Sequence, residues 1–398
     1  MGFWTLFEVA SMPILQVLLI SILGALMAND YFNLLHFDAR RSLNKIVFVV
    51  FTPSLMFASL AKTVTLDDII SWWFMPINIG LTFLVGGTLG WLVVQILKPE
   101  VHLEGLIVAT CSAGNLGNLL LIVIPAICKE DGSPFGDHQI CASVGLSYAS
   151  FSMAVGGFYI WTYTYHLIRS SSVKFKAINS AADEDALKKS LLLQDDDDHE
   201  NQIKACEVSA IEPIKKGEVS SWSKIAGTLN KIVEELLAPP TIAAIIGLVF
   251  GSVTWLKNLI IGSSAPFRVI QDSVKLLGDG TIPCITLILG GNLTQGLKKA
   301  KVKPMIIIGV VCVRYIFSPL IGILLLKVAA KFGFLAADPL YQFVLMIQYT
   351  LPPAMNIGTM TQLFDVAQEE CSVLFLWTYL IAAFALTIWS TIFMWLLS

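Results

Sequence analysis

Runs of apolar residues long enough to cross a lipid bilayer recur along this chain, and they leave few folds open to it. The membrane interior offers no water to unpaired peptide groups, so a spanning backbone is either helical or a closed barrel. A helix needs roughly 20 apolar residues to cross, whereas a barrel strand shows about 10 of alternating polarity. The runs here are of the first kind. Ten can be marked, at about 10–29, 43–61, 72–97, 104–127, 141–168, 236–256, 270–293, 304–326, 340–364 and 371–397. Composition agrees, since 56% of the 398 residues are hydrophobic and only 14% charged. The chain reads as an all-α polytopic membrane protein of ten transmembrane helices, with the bilayer as its surroundings.

Three regions follow from where the runs stop: 1–169 and 232–398, each with five spans, and a hydrophilic segment, 170–231, between them. That segment holds Lys188-Lys189, the run Asp195–Asp198 and few aromatic residues. It cannot bury enough apolar surface to fold alone and is expected to be a disordered linker. The N-terminus lacks a cationic stretch and carries Glu8, so the first run is expected to be a retained span.

The two halves repeat each other. Pro13 with Gly24 matches Pro240 with Gly251, and Lys45 with Pro53 matches Lys275 with Pro283, both at identical spacing. Ala113-Gly-Asn115-Leu-Gly117 matches Ala354-Met-Asn356-Ile-Gly358, and Cys141 and Tyr148 match Cys371 and Tyr379 with a one-residue slip. An odd number of spans per half, with both linker ends on one side, makes the repeat inverted, as in many secondary transporters. With the linker in the cytosol, the short loops on that side carry eight Lys or Arg, from Arg40 to Lys303, against six opposite. Both termini then lie on the far side, and the sequon Asn292-Leu-Thr294 faces the cytosol unglycosylated.

The fourth and ninth runs are interrupted at corresponding places, by Asn115, Gly117 and Asn118 and by Pro352, Pro353, Asn356, Gly358 and Thr359. Broken backbone at this depth is tolerated where it lines a cavity, and paired interruptions point to a transporter's substrate site. A helix restarting near Gly117 would aim free N–H groups, worth about half a positive charge, at the membrane middle. The second break would restart with Pro353 in its first turn. Two broken helices crossing about a pseudo-two-fold axis would then present two sets of donors to one small organic anion. The alternative is that Asn and Gly merely let helices pack closely.

Lys275 lies between Asp272 and Asp279 in an apolar setting, and Lys275 and Asp279 share a helix face. They are candidates for proton or charge coupling, or for interfacial residues whose lysine reaches out to water. Arg314 reads as an anchor or packing residue. Seven cysteines, without CxxC spacing, read as small buried residues, though Cys128 and Cys141 fall in one short loop and leave a disulfide there open. No metal-ligand or phosphate-cradling spacing, no nucleophile beside a base and no basic surface pattern occurs. Neither a cofactor, an enzyme nor a nucleic-acid partner is expected.

The stretch from Ala113 to Asn118 with Ile124-Pro125, and Thr350-Leu-Pro-Pro-Ala-Met-Asn-Ile-Gly-Thr-Met-Thr-Gln-Leu-Phe364, resembles the plant PIN-LIKES family of the auxin efflux carrier superfamily. Related PIN carriers have Pro-Asn followed seven residues later by Pro. Asn118 and Pro125 fit, while Gly117 replaces the first Pro. The resemblance implies a scaffold of spans one, two, six and seven, a transport domain moving like an elevator, and a homodimer. It also implies an indole-3-acetic acid-like auxin as substrate and the endoplasmic reticulum membrane, with lumenal termini. The rival readings are a same-fold carrier for another organic anion, including bile-acid or sodium–proton types, and a ligand receptor signalling through the linker. The crossover's Asn, Gly and Pro, in place of acidic clusters, argue against sodium.

Overall fold

In the computed structural model, the described residues are 15–192 and 239–397, apart from 17, 30, 64, 130–132, 263–264, 300–301 and 336–337. Helix occupies most of the described part of each expected run, with interruptions at 113–117, 253 and 348–355. Among the described residues, six helices are long and apolar enough to cross a membrane, or seven with one bent pair counted. In the first half the elements are α1 (Leu18–Met27), α2 (Phe37–Lys62), α3 (Phe74–Leu97), α4 (Val101–Ser112), α5 (Asn118–Lys129) and α6 (His138–Ile178). In the second they are α7 (Pro239–Ser252), α8 (Thr254–Ile260), α9 (Arg268–Asn292), α10 (Pro304–Lys331), α11 (Pro339–Ile347), α12 (Asn356–Phe364) and α13 (Gln368–Leu397).

The helices form two groups. The second half of α2 packs against α7 and the first half of α9. There α1 lies backbone to backbone on α9, with Gly24 against Leu287 and Gly290 against Ser21. Only residues without a side chain permit that approach, which replaces the hydrophobic effect as the glue between helices in lipid. The other group joins α3 to α4, α5 to α6, α10 to α3 and α11 to α13. The groups meet where α9 lies along α13 and where α2 faces α6 and α12.

Two expectations need correction. The sixth run is not one straight span, because the chain turns by 105° between Ser252 and Thr254. Val253 is extended at the turn, and the short α8 lies across the end of α7. Nor is Ser170 a boundary: the helix that begins as α6 continues to Leu192. Its residues just past Ser170 still have partners, which a solvated linker would lack. Ser172 Oγ donates to the Phe364 carbonyl at the end of α12 (2.8 Å), and the Phe175 ring meets His102 (5.1 Å between centroids). Residues 193–238, including the acidic run, lie outside the described residues.

Candidate functional site: the crossing of two broken helices

α4 stops at Ser112 because Ala113 turns extended (φ −84°, ψ 105°). In the other half α11 stops at Ile347, and the chain leaves helix until α12 begins at Asn356. The two interruptions cross as a minimal antiparallel pair, Gly114 opposite Pro353. Asn115 N donates to the Pro352 carbonyl (2.8 Å) and Ala354 N to the Ala113 carbonyl (2.9 Å). Each break thus satisfies peptide groups of the other, which neither could leave bare in lipid. Pro353 suits this place because the pair asks nothing of its missing N–H. This corrects the expectation that Pro353 opens the second half-helix: α12 begins three residues later, at Asn356.

Tyr379 of α13 locks the crossing. Its hydroxyl accepts from Asn115 Nδ2 (2.9 Å) and donates to the Pro353 carbonyl (2.9 Å). Behind the second break lies a buried polar network. Asn78 Nδ2 donates to the Leu345 carbonyl (3.1 Å) and to Gln348 Oε1 (2.8 Å), and Gln348 Nε2 donates to Ser152 Oγ (2.9 Å). Tyr349 closes it on Asn78 Oδ1 (3.2 Å). The network ties α3 and α6 to the end of α11 and so fixes the backbone at the second break.

Asn115, Gly117, Ala354 and Asn356 line a cavity of about 40 Å³ between the two helix groups. Its opposite wall includes Thr52 of α2 and Thr281 and Ile285 of α9. The hydroxyls of Thr52 and Thr281 are buried and have no hydrogen-bond partner among the described residues. Buried polar groups are nearly always paired, and these two hydroxyls line the same void as Asn115 and Asn356. Both threonines were invisible as candidates. Their only sequence signal is a Thr at or one residue from the repeated Thr52-Pro53 and Ile282-Pro283 pairs.

The remaining candidates divide. Pro352 and Pro353 form the crossing itself and are buried. Gly358 and Thr359 lie one turn on, against a smaller void shared with Ile285 and Asn292, where the Thr359 carbonyl accepts from Asn44 Nδ2 (3.0 Å). Asn118 is the first residue of α5, and its side chain lies outside the described residues. Asp272, Lys275 and Asp279 are not brought to the crossing. Asp272 pairs with Arg268 (3.0 Å) and Lys275 with Asp279 (2.9 Å), each pair about half exposed along α9. Cys128 and Cys141 form a disulfide joining the end of α5 to the start of α6.

Residues 9–390 match the family model described as a membrane transport protein. The chain is 62% identical, over the whole of both chains, to Protein PIN-LIKES 5 and to Protein PIN-LIKES 7 of Arabidopsis thaliana. It is 48% identical to Protein PIN-LIKES 3 of the same plant, over 99% of this chain and 98% of the relative. These are transporters and not enzymes, and by both measures the chain belongs to the PIN-LIKES family of membrane transport proteins.

Proposed function

We propose that the chain is a secondary carrier that moves auxin-like carboxylates, such as indole-3-acetic acid, across the endoplasmic reticulum membrane and so regulates intracellular auxin accumulation. The observation that carries this reading is the cavity at the crossing, with amides on one helix group and partnerless hydroxyls on the other. A ligand held there touches both groups, so sliding one past the other carries it across. The cavity's 40 Å³ accommodates a water molecule and no indole ring. Binding therefore requires the interface to part, which suits an elevator motion of α3–α6 and α10–α13 against α1, α2, α7 and α9. Asn115, Gly117, Asn118, Asn356, Gly358 and Thr359 are the proposed substrate contacts, with Pro352 and Pro353 shaping them. A homodimer with the scaffolds facing each other is part of the same proposal.

Uptake of radiolabelled indole-3-acetic acid into proteoliposomes tests it. Saturable uptake by the wild type, lost in Asn115→Ala and in Asn356→Ala, is the expected result. Binding without net flux would make the protein a ligand sensor, and non-saturating flux a channel. The Lys275–Asp279 pair is the proposed coupling element within this scheme. An Asp279→Asn protein whose uptake keeps the wild-type pH dependence would remove it from the mechanism.

A further inference from the structure

The third-last residue of each leading half-helix, Thr110 in α4 and Leu345 in α11, accepts at its carbonyl a hydrogen bond from a side chain of the opposite repeat. The last carbonyls of a helix have no partner within it. At Leu345 the partner is the neutral amide of Asn78, on α3 of the first half. At Thr110 it is Arg314 of α10, whose Nε donates at 2.8 Å. Each repeat thus caps the other's broken helix, and the two caps differ by one full charge.

That difference decides the sign of the crossing. A helix end carries about half an elementary charge, positive at the N-terminus and negative at the C-terminus. Two N-terminal ends, of α5 and α12, and two C-terminal ends, of α4 and α11, meet here, so the dipoles alone sum to nothing. Arg314 is left over. It is 2% exposed, its Nη2 has no partner, and no carboxylate among the described residues pairs with it. Its guanidinium abuts the crossing strand: a Cβ on Gly114, next to the cavity-lining Asn115, would stand 3.4 Å from Nη1. It sits in a π-helical turn, Val313–Phe317, a distortion common at functional sites. A buried cation without a counter-ion is costly unless a ligand's charge offsets it.

We propose that Arg314 sets the anion selectivity of the carrier, as a positioning residue that charges the crossing without touching the substrate. The inference rests on the carboxylate-carrier reading above. Its test compares indole-3-acetate with the uncharged indole-3-acetamide as competing probes in proteoliposomes. Arg314→Gln keeps a donor for Thr110 and removes the charge. It is expected to raise the apparent KM for the carboxylate by about tenfold while leaving inhibition by the amide unchanged. Arg314→Lys restores the carboxylate to within about threefold of wild type. A purely structural role would weaken both probes together, and that outcome, or a glutamine variant with wild-type preference, overturns the inference alone. If the glutamine variant does not fold, the lysine variant decides, since a tenfold loss with the charge retained would also overturn it. A wild type that moves no carboxylate removes the carrier reading and this inference with it.

Discussion

Tyr379 makes two hydrogen bonds with one hydroxyl, and they hold opposite sides of the crossing. Tyr379→Phe keeps the ring and strands a buried amide and a buried carbonyl, at a cost of about 1–3 kcal/mol for each group left unsatisfied. The variant is expected to melt at a lower temperature in detergent and to transport more slowly; an unchanged melting curve would show that water takes the hydroxyl's place. Thr52 and Thr281 predict the opposite pattern. Their hydroxyls bond no described protein group, so Thr52→Val and Thr281→Val remove no hydrogen bond between described protein groups and should lower the melting temperature far less than Tyr379→Phe does. A hydrogen bond to a carboxylate contributes about 1.5–3 kcal/mol, so the KM for indole-3-acetate should rise at least several-fold in each, measured by proteoliposome uptake. The asparagines of this site were legible in the sequence because an amide beside Gly or Pro, twice at matching places, stands out in an apolar run. Thr52, Tyr379 and Arg314 were not, because a single polar side chain in a membrane helix looks the same whether it packs, caps or binds.

At the level of elements, the crossing depends on how closely α4 can lie on α3. Gly86 faces the Cys111 carbonyl, and a Cβ there would also come within 2.7 Å of the Ser112 Cα. Gly90 is packed in the same way, 3.0 Å from the Val108 Cα. The last turn of α4 therefore rests on a strip of α3 without side chains, and a methyl group would push it off. Gly86→Ala is expected to lower stability by about 1–3 kcal/mol, as overpacking does, and to reduce uptake because Asn115 follows directly. Thermal unfolding beside uptake checks both, and an alanine variant with normal stability and uptake would show that α4 is free to shift. Helix existence was legible throughout, since apolar length alone demands it. The bend at Val253 was not, because the Gly251-Ser252 pair before it is still helical and a glycine in an apolar run fits close helix packing as well as a kink. The helix beyond Ser170 was missed for a related reason: polar composition hid the Ser172 and Phe175 contacts that extend it.

For the whole molecule, a disulfide and a row of voids bear on which way the carrier faces. Disulfides persist in oxidising compartments, so the Cys128–Cys141 bond favours a lumenal place for the end of α5. That agrees with the side opposite the linker inferred from Lys and Arg. From the crossing, voids lead the other way. The cavity shares Ile285 with the void at Thr359, and that void shares Asn292 with a pocket of about 290 Å³ lined by Phe37, His102 and Glu370. These voids lie in a row toward the linker side, the proposed cytosolic face. Sealed microsomes with the cytosolic face outward test the orientation. Cys206, in the linker, should react with a membrane-impermeant maleimide at once. Cys128 and Cys141 should react only after the membrane is opened and the disulfide reduced, and a sequon introduced between them should be glycosylated while Asn292 is not. Free, outward-facing thiols at 128 and 141 would reverse the topology, and with it the face toward which the row of voids lies.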